Sequence, residues 1–189
     1  GSDIGFDIST LDGASNIFFP TSLQFGPDGR LYVAQVNGEI TIYDVERNGP
    51  NDYETTSSEK IFLVQNIPNH DDDGDVNSGV NSRQVTALLV TGTDSQPVIY
   101  VGSSDPRVGA GDEGINDVNL DTNSGIISRL TWTGSAWDKE DIVRGLPRSE
   151  ENHANNGMVL DESTNTLYVT SGGSTNAGAP SNNFARATE

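Results

Sequence analysis

The sequence predicts an all-β fold, and three of its features carry that prediction. Short segments rich in β-branched and aromatic residues alternate with turn residues along the whole chain. A Tyr-Val dipeptide begins at Tyr32, Tyr100 and Tyr168, at equal spacings of 68 residues (100 − 32 and 168 − 100). No long segment shows the apolar periodicity of an amphipathic helix. Together these features indicate a β-meander that is repeated along the chain.

The first copy of the meander contains three strand segments, at 23–25, 31–34 and 39–43. The dipeptides Asp28-Gly29 and Asn37-Gly38 separate them. Both dipeptides are favoured in two-residue hairpin turns because they tolerate positive φ. We therefore predict two successive β-hairpins in this part of the chain.

Two further copies of the meander follow the first. The second pairs segments 85–90 and 98–101 around a turn at 93–95, and the third pairs 157–160 and 166–169 around a turn at 163–165. A lone four-stranded sheet cannot bury both of its faces, whereas stacked sheets bury a continuous core. The repeat therefore predicts a β-propeller.

The number of repeats predicts an incomplete ring. Propellers close with about four to eight blades, and this chain holds fewer than three full repeats. We expect residues 1–189 to form the N-terminal part of one propeller domain, about its first three blades, with Gly1 and Ser2 as a processing or cloning remnant outside the fold. Strand edges and apolar faces left bare attract partners. The expected partners are the remaining blades, or further copies of the chain through self-association.

The charge of the chain excludes several classes of partner. The 28 acidic and 10 basic residues give a formal net charge of −18. Such a surface repels phosphate backbones and attracts cations, so we expect no nucleic-acid binding. We expect no membrane insertion either, because no apolar run approaches about 18 residues. The absence of cysteine excludes disulfides and thiolate chemistry, and with the Asp- and Asn-rich loops it suits an extracellular, periplasmic or cell-surface protein.

Two long polar insertions, at 69–82 and 105–123, are the predicted functional loops. Each places oxygen-bearing side chains at alternate positions, a pattern that suits calcium. The candidate calcium ligands are Asp71, Asp73, Asp75, Asp117, Asn119 and Asp121. An acidic loop that is simply solvated remains the alternative at both places.

The chain contains two histidines, His70 and His153. His153 lies directly before the third copy of the meander, and an imidazole is suited to general-base work because it titrates near neutral pH. His70 lies among aspartates, where we expect it to be solvated or associated with a cation.

The order of residues in the second half of the chain carries a family resemblance. A strand around Arg129 is followed by a predicted loop with Gly-Leu-Pro at 145–147, then His153, a Tyr-Val strand at 166–169 and a glycine-rich loop at Gly172. This order resembles the soluble quinoprotein glucose dehydrogenases, which depend on pyrroloquinoline quinone (PQQ), and their glucose/sorbosone dehydrogenase relatives.

The resemblance implies a six-bladed propeller that oxidises a sugar hydroxyl with PQQ as cofactor. By position, His153 corresponds to the base that removes the alcohol proton and Gln84 to a contact of the cofactor. Such a site needs groups from several blades, so we expect this chain alone to be inactive. The alternative function is a non-catalytic extracellular module that binds calcium and carbohydrate, or that serves in adhesion within a large surface protein.

Calcium is predicted to stabilise the chain through the two insertions. A ligand that binds only the native state adds about 2.7 kcal/mol to the free energy of unfolding at a hundredfold excess over its Kd. Thermal melting curves recorded with calcium and with a chelator should then differ by several degrees. Superposable curves would contradict the prediction.

Overall fold

The structure is a computed structural model that describes residues 5–71, 73–107, 121–148 and 153–172. These residues form eleven β-strands in three sheets. Among them, no helix is long and apolar enough to cross a membrane. The predicted all-β class is therefore confirmed.

Sheet 1 contains the first copy of the meander, with strand order β1-β5-β4-β3-β2. Its strands are β1 (Leu11–Asp12), β2 (Pro20–Phe25), β3 (Leu31–Gln35), β4 (Ile40–Gly49) and β5 (Asp52–Ile61). The predicted hairpin turns are present, with Gly29 at φ 76° and Gly38 at φ 93°. Strand β5 has no counterpart in the sequence prediction, because its residues are mostly polar, and it is held by pairing along the length of β4.

Sheet 2 is a four-stranded meander with the strands in sequence order. Its strands are β6 (Gln84–Gly92), β7 (Pro97–Ser104), β8 (Gly125–Trp132) and β9 (Trp137–Leu146). The turn predicted at 93–95, between β6 and β7, is confirmed by mutual backbone hydrogen bonds between Thr93 and Gln96. The predicted loop at 145–147 is wrong in part, because Gly145 and Leu146 still belong to β9.

Sheet 3 contains the last two strands, β10 (Asn155–Asp161) and β11 (Thr166–Ser171), which pair antiparallel. Asn165, with φ at 53°, ends the turn between them, as the turn residues predict. The repeat is visible in this arrangement, since Tyr32, Tyr100 and Tyr168 lie on β3, β7 and β11. Each of these strands follows the first strand of its own meander.

The apolar core lies on both faces of sheet 2. Along β7, Ile99 and Val101 belong to the core shared with sheet 1, whereas Tyr100 belongs to the core shared with sheet 3. On β8, Leu130 belongs to the core shared with sheet 1 and Ile127 to the core shared with sheet 3. Sheet 2 is therefore the central layer, and burial of both faces explains why β6 and β7 are apolar almost throughout.

The three sheets stack as a curled, sandwich-like half-barrel. This is a coarser architecture than the predicted propeller, which also requires sheets that turn around a common axis. The stacking alone does not establish such an axis. What the structure confirms is the repeated meander and its face-to-face packing.

The outer faces of the two terminal sheets carry exposed apolar side chains. In sheet 1, Leu23 is 65% and Phe25 57% exposed, and they alternate with Gln24, whose side chain faces sheet 2. In sheet 3, the paired residues Val159 and Tyr168 are 65% and 60% exposed. Packing of these faces against further blades or a second copy stays a prediction.

The stacking of sheet 3 on sheet 2 can be tested at Ile127, which is fully buried between them. Ile127→Ala should lower the free energy of unfolding by about 2–5 kcal/mol, because the truncation leaves a cavity. The matched control is Ile142→Ala on the neighbouring strand β9, where the side chain is 38% exposed, and it should lose less than about 1 kcal/mol. Equal losses in denaturant titrations of the two variants would contradict the three-layer packing.

Candidate functional site

The candidate site lies at one edge of sheets 2 and 3, where β6, β8 and β10 begin and β7 and β9 end. We call it the loop edge. Two hydrogen bonds bring the start of β10 to the start of β6: Thr86 Oγ1 donates to Asn155 O (2.5 Å), and Asn155 Nδ2 donates to Ser103 O (3.0 Å). Segment 62–83 and the described parts of the second insertion lie at this edge.

Arg83 is the most deeply placed charge of the loop edge, with 1% of its surface exposed. Its guanidinium donates to Asn69 Oδ1 (2.7 Å), to Ser103 Oγ (3.3 Å) and to the carbonyl oxygen of Ser124. Its backbone N–H donates to Asn37 O in the β3–β4 turn (3.3 Å). One side chain and its own backbone therefore connect sheet 1, the first insertion, the end of β7 and the start of β8.

Burial lowers the pKa of Arg83 to about 10, while the carboxylates of Asp105, Asp121 and Asp141 favour its charged form. The guanidinium is therefore still charged at neutral pH. A buried charge is tolerated when hydrogen bonds replace its hydration. The three acceptors of Arg83 meet that condition without forming an ion pair.

Arg107 joins the two insertions. It forms ion pairs with Asp105 (2.9 Å) and with Asp71 (2.5 Å), and its Nη2 donates to the carbonyl oxygen of His70 (2.7 Å). Arg148, which is fully buried, donates in turn to the carbonyl oxygen of Arg107. The hydrogen bond from Arg107 is the main cause that holds the pKa of Asp71 below its usual range.

Two candidate calcium ligands of the first insertion, Asp71 and Asp73, have protein partners in this arrangement. Asp71 accepts from Arg107 and from Asn77 (3.1 and 3.2 Å), and Asp73 Oδ1 accepts from the backbone N–H of Asp75 (3.0 Å). Within the described residues, no three histidine or acidic side chains form a group that could share a metal ion.

In the second insertion, Asp121 Oδ1 accepts from the backbone N–H of Asn123 (2.8 Å). Asp117 and Asn119 lie outside the described residues. Calcium binding stays a prediction, with Arg107 as a competing cation for Asp71. The sequence prediction missed Arg107, although its place two residues after Asp105, at the start of an acidic insertion, was a usable signal.

Gln84 and His153 come to the same edge. Gln84 is the first residue of β6 and accepts from the Ser104 hydroxyl (3.3 Å). His153 lies two residues before β10, is partly buried, and has a buried Nδ1 atom. Gly172 packs on its backbone so closely that a Cβ there would lie 2.8 Å from His153 Cα. The strand starts thus place the two predicted site residues at the same edge, and their roles stay predictions.

Asp141, on the outer strand β9, orients a further arginine of the edge. Its carboxylate pairs with Arg144 (2.5 Å) and Lys139 (2.7 Å) and accepts from the Ser128 hydroxyl (2.6 Å). Burial by itself would raise the pKa of Asp141, but these hydrogen bonds and charges outweigh it and hold the pKa below its usual range. Arg144 lies on the wall of a polar cavity of about 280 Å³ together with Arg83.

Comparisons with known proteins find a likeness among solved structures. No family model and no curated protein matches the chain. A solved structure of a Trichoderma reesei protein of carbohydrate-active enzyme family AA12 matches with a TM-score of 0.52 and 14% sequence identity. The alignment covers 87% of this chain and 32% of that one, so the chain spans about a third of the matched structure. At this identity the likeness concerns the fold alone.

The predicted membership of the soluble quinoprotein glucose dehydrogenase family is wrong, because no family model supports it and the matched structure is an AA12 protein. The residues that carried the resemblance have structural explanations in this chain. Gly145 adopts φ 81° within β9, Leu146 packs in the core between sheets 2 and 3, and Gly172 makes the close approach to His153. Turn and packing residues of this kind recur in unrelated antiparallel sheets.

The lowered pKa of Asp141 predicts a specific pH dependence. A carboxyl whose folded pKa lies below its unfolded value of 3.8 stabilises the protein above that pH, and the contribution is lost as the pH falls through the folded pKa. Asp141→Asn should therefore lower the free energy of unfolding by about 1.5–3 kcal/mol at pH 7. The difference from the wild type should shrink steadily below pH 4.

The control is Glu140→Gln, which removes an exposed ion pair with Arg129 and should cost less than about 1 kcal/mol at either pH. Chemical denaturation at pH 7 and at pH 3 measures both variants. A loss for Asp141→Asn that is the same at the two pH values would show that the ionised carboxylate is not what stabilises β9.

Proposed function

We propose that this chain is part of a sugar oxidoreductase-like β-propeller whose loop edge contacts carbohydrate. The observation that carries the proposal is the convergence of Gln84 and His153 at neighbouring strand starts, beside the two long insertions. The AA12 neighbour, a carbohydrate-active enzyme, supports it through its fold. The three face-packed meanders support a propeller, because continued stacking of such sheets around an axis closes a ring.

In this proposal His153 and Gln84 bind one hydroxyl group of the sugar. The partly buried imidazole of His153 accepts a hydrogen bond from the hydroxyl, the position from which a base would remove the proton, and the Gln84 amide, which both donates and accepts, orients the hydroxyl oxygen. Gly172 keeps the backbone of His153 in place, since any larger residue would displace it.

The described residues do not fit PQQ by themselves. PQQ carries three carboxylates, and the ion pairs of the loop edge leave too few guanidinium donors among the described residues to hold all three. Arg107 pairs with Asp71 and Asp105, and Arg144 pairs with Asp141. We therefore assign the sugar contacts to this chain and no step of the reaction to the cofactor. The same observation favours a second candidate function, carbohydrate binding without oxidation.

Sugar binding is testable because the chain has two histidines. Titration with glucose and with a glucose oligosaccharide, followed by imidazole ¹H–¹⁵N resonances, should shift the signals of His153 and leave those of His70 in place. His70→Gln assigns the two sets of signals. Gln84→Ala should weaken the effect about fivefold, which corresponds to one lost hydrogen bond of about 1 kcal/mol.

Two results would contradict the proposal. Unchanged His153 resonances at saturating sugar would remove the carbohydrate site, and an unaltered titration of Gln84→Ala would remove the role of Gln84. Reduction of a dye acceptor separates the two candidate functions. With PQQ and calcium added, the chain alone is expected to reduce no dye above a His153→Ala control, and reduction above that control would show that it holds the cofactor.

A further inference from the structure

A second site at the loop edge is the cavity of about 280 Å³ between the first insertion, the start of β8 and the end of β9. The polar residues on its wall are His70, Arg83, Asp121, Asn123, Ser124 and Arg144. Gln84 and His153 are not among the described residues that line it. The cavity is therefore separate from the place where we put the sugar hydroxyl.

One side of the cavity is cationic. Arg83 uses three of its N–H groups in hydrogen bonds to Asn69, Ser103 and Ser124. A guanidinium has five N–H donors, so two remain after its bonds to the described residues. Arg144 adds a second guanidinium, whose side chain is 61% exposed and held by Asp141. Two forked donors of this kind match the geometry of a carboxylate.

The other side is a fixed turn that offers acceptors and neutral donors. Its backbone is held by hydrogen bonds from Asn123 N to Asp121 Oδ1 (2.8 Å), from Ser124 N to Asp121 O (3.2 Å) and from Asp121 N to His70 O (3.1 Å). Asp121 and Asn123 then face the cavity as partners for hydroxyl groups, while the negative charge of Asp121 disfavours an anion on this side.

The size of the cavity favours a ring-sized ligand. A volume of 280 Å³ corresponds to about nine water molecules at about 30 Å³ each. A small anion such as acetate or phosphate would occupy a minor part of it. One monosaccharide unit fills it better and brings both hydroxyl groups and, in a sugar acid, a carboxylate.

We propose that this cavity binds a sugar acid, with the carboxylate on Arg83 and Arg144 and the hydroxyl groups on Asp121 and Asn123. The net charge of −18 and the carboxylates of Asp121 and Asp141 oppose anion binding, so the affinity depends on the forked hydrogen bonds that the two guanidinium groups donate. The inference goes beyond the proposed function, which concerns a neutral hydroxyl at His153, and it stands or falls separately.

The test is isothermal titration with glucuronate, glucose, acetate and phosphate, performed on the His153→Ala variant so that glucose bound at the proposed hydroxyl site does not contribute. Glucuronate should bind at least about tenfold more tightly than each of the other three, a difference of about 1.4 kcal/mol. Arg144→Gln should weaken glucuronate binding at least about tenfold. The matched control is Arg129→Gln, because Arg129 is also an exposed arginine paired with a carboxylate of the same sheet but does not line the cavity.

A second variant tests the hydroxyl side independently. Asn123→Ala should weaken glucuronate binding and leave the weak binding of acetate unchanged. Equal affinity for glucose and glucuronate would show that the cavity is a neutral sugar site. Equal affinity for phosphate and glucuronate would show that it is a simple anion site. No binding of glucuronate to the folded chain, or equal effects of Arg144→Gln and Arg129→Gln, would overturn it. None of these results depends on His153.

Discussion

The burial of Arg83 is the constraint on which the loop edge depends. Only 1% of Arg83 is exposed, so its guanidinium has little access to bulk water and the fold must supply most of its acceptors. They come from three different segments, as Asn69, Ser103 and Ser124. Asn69 is itself fixed, because its Nδ2 donates to Val80 O (3.1 Å) and Ser82 O (2.8 Å) and thereby closes the first insertion. The hydrogen bonds of the Arg83 guanidinium therefore fix the positions at which both insertions connect to the sheets.

A second arginine layer extends this arrangement towards the solvent. Arg107 binds Asp71 and the fully buried Asp105, and Arg148 binds the backbone of Arg107. The result explains part of the acidic composition in structural terms. Asp71, which reads in sequence as part of a metal site, serves here as a partner of the Arg107 guanidinium. A cation that entered at Asp71 would have to displace Arg107, which couples any metal binding to the position of the second insertion.

The sequence predicted the sheets better than the site. The turn residues Gly29, Gly38 and Asn165 have the positive φ that hairpins require, and the recurring Tyr-Val strands occupy equivalent positions in three sheets. Such features are local, so a sequence shows them. Strand β5 was missed because pairing with β4, and not its own composition, makes it a strand.

The site was harder to predict because it depends on contacts between distant segments. Arg83 and Ser124 are 41 positions apart, and Thr86 and Asn155 are 69 apart. Nothing in the local sequence of Arg83 distinguishes it from an exposed arginine. His153 and Gln84 were named from a family resemblance that proved wrong. They nevertheless share an edge, because each lies at or just before the start of the first strand of a meander.

The most direct test of this account is native-state amide exchange and denaturant unfolding of Arg83→Lys. Lysine keeps the charge but loses the fork that reaches three acceptors at once. The account predicts a loss of about 2–4 kcal/mol, with faster exchange in segments 66–83 and 121–124 and unchanged exchange in the β2–β3 hairpin. Arg30→Lys, at a partly exposed ion pair with Asp28, is the control and should cost less than about 1 kcal/mol. A stability of Arg83→Lys within about 0.5 kcal/mol of the wild type, with unchanged exchange at the loop edge, would contradict the central role of Arg83.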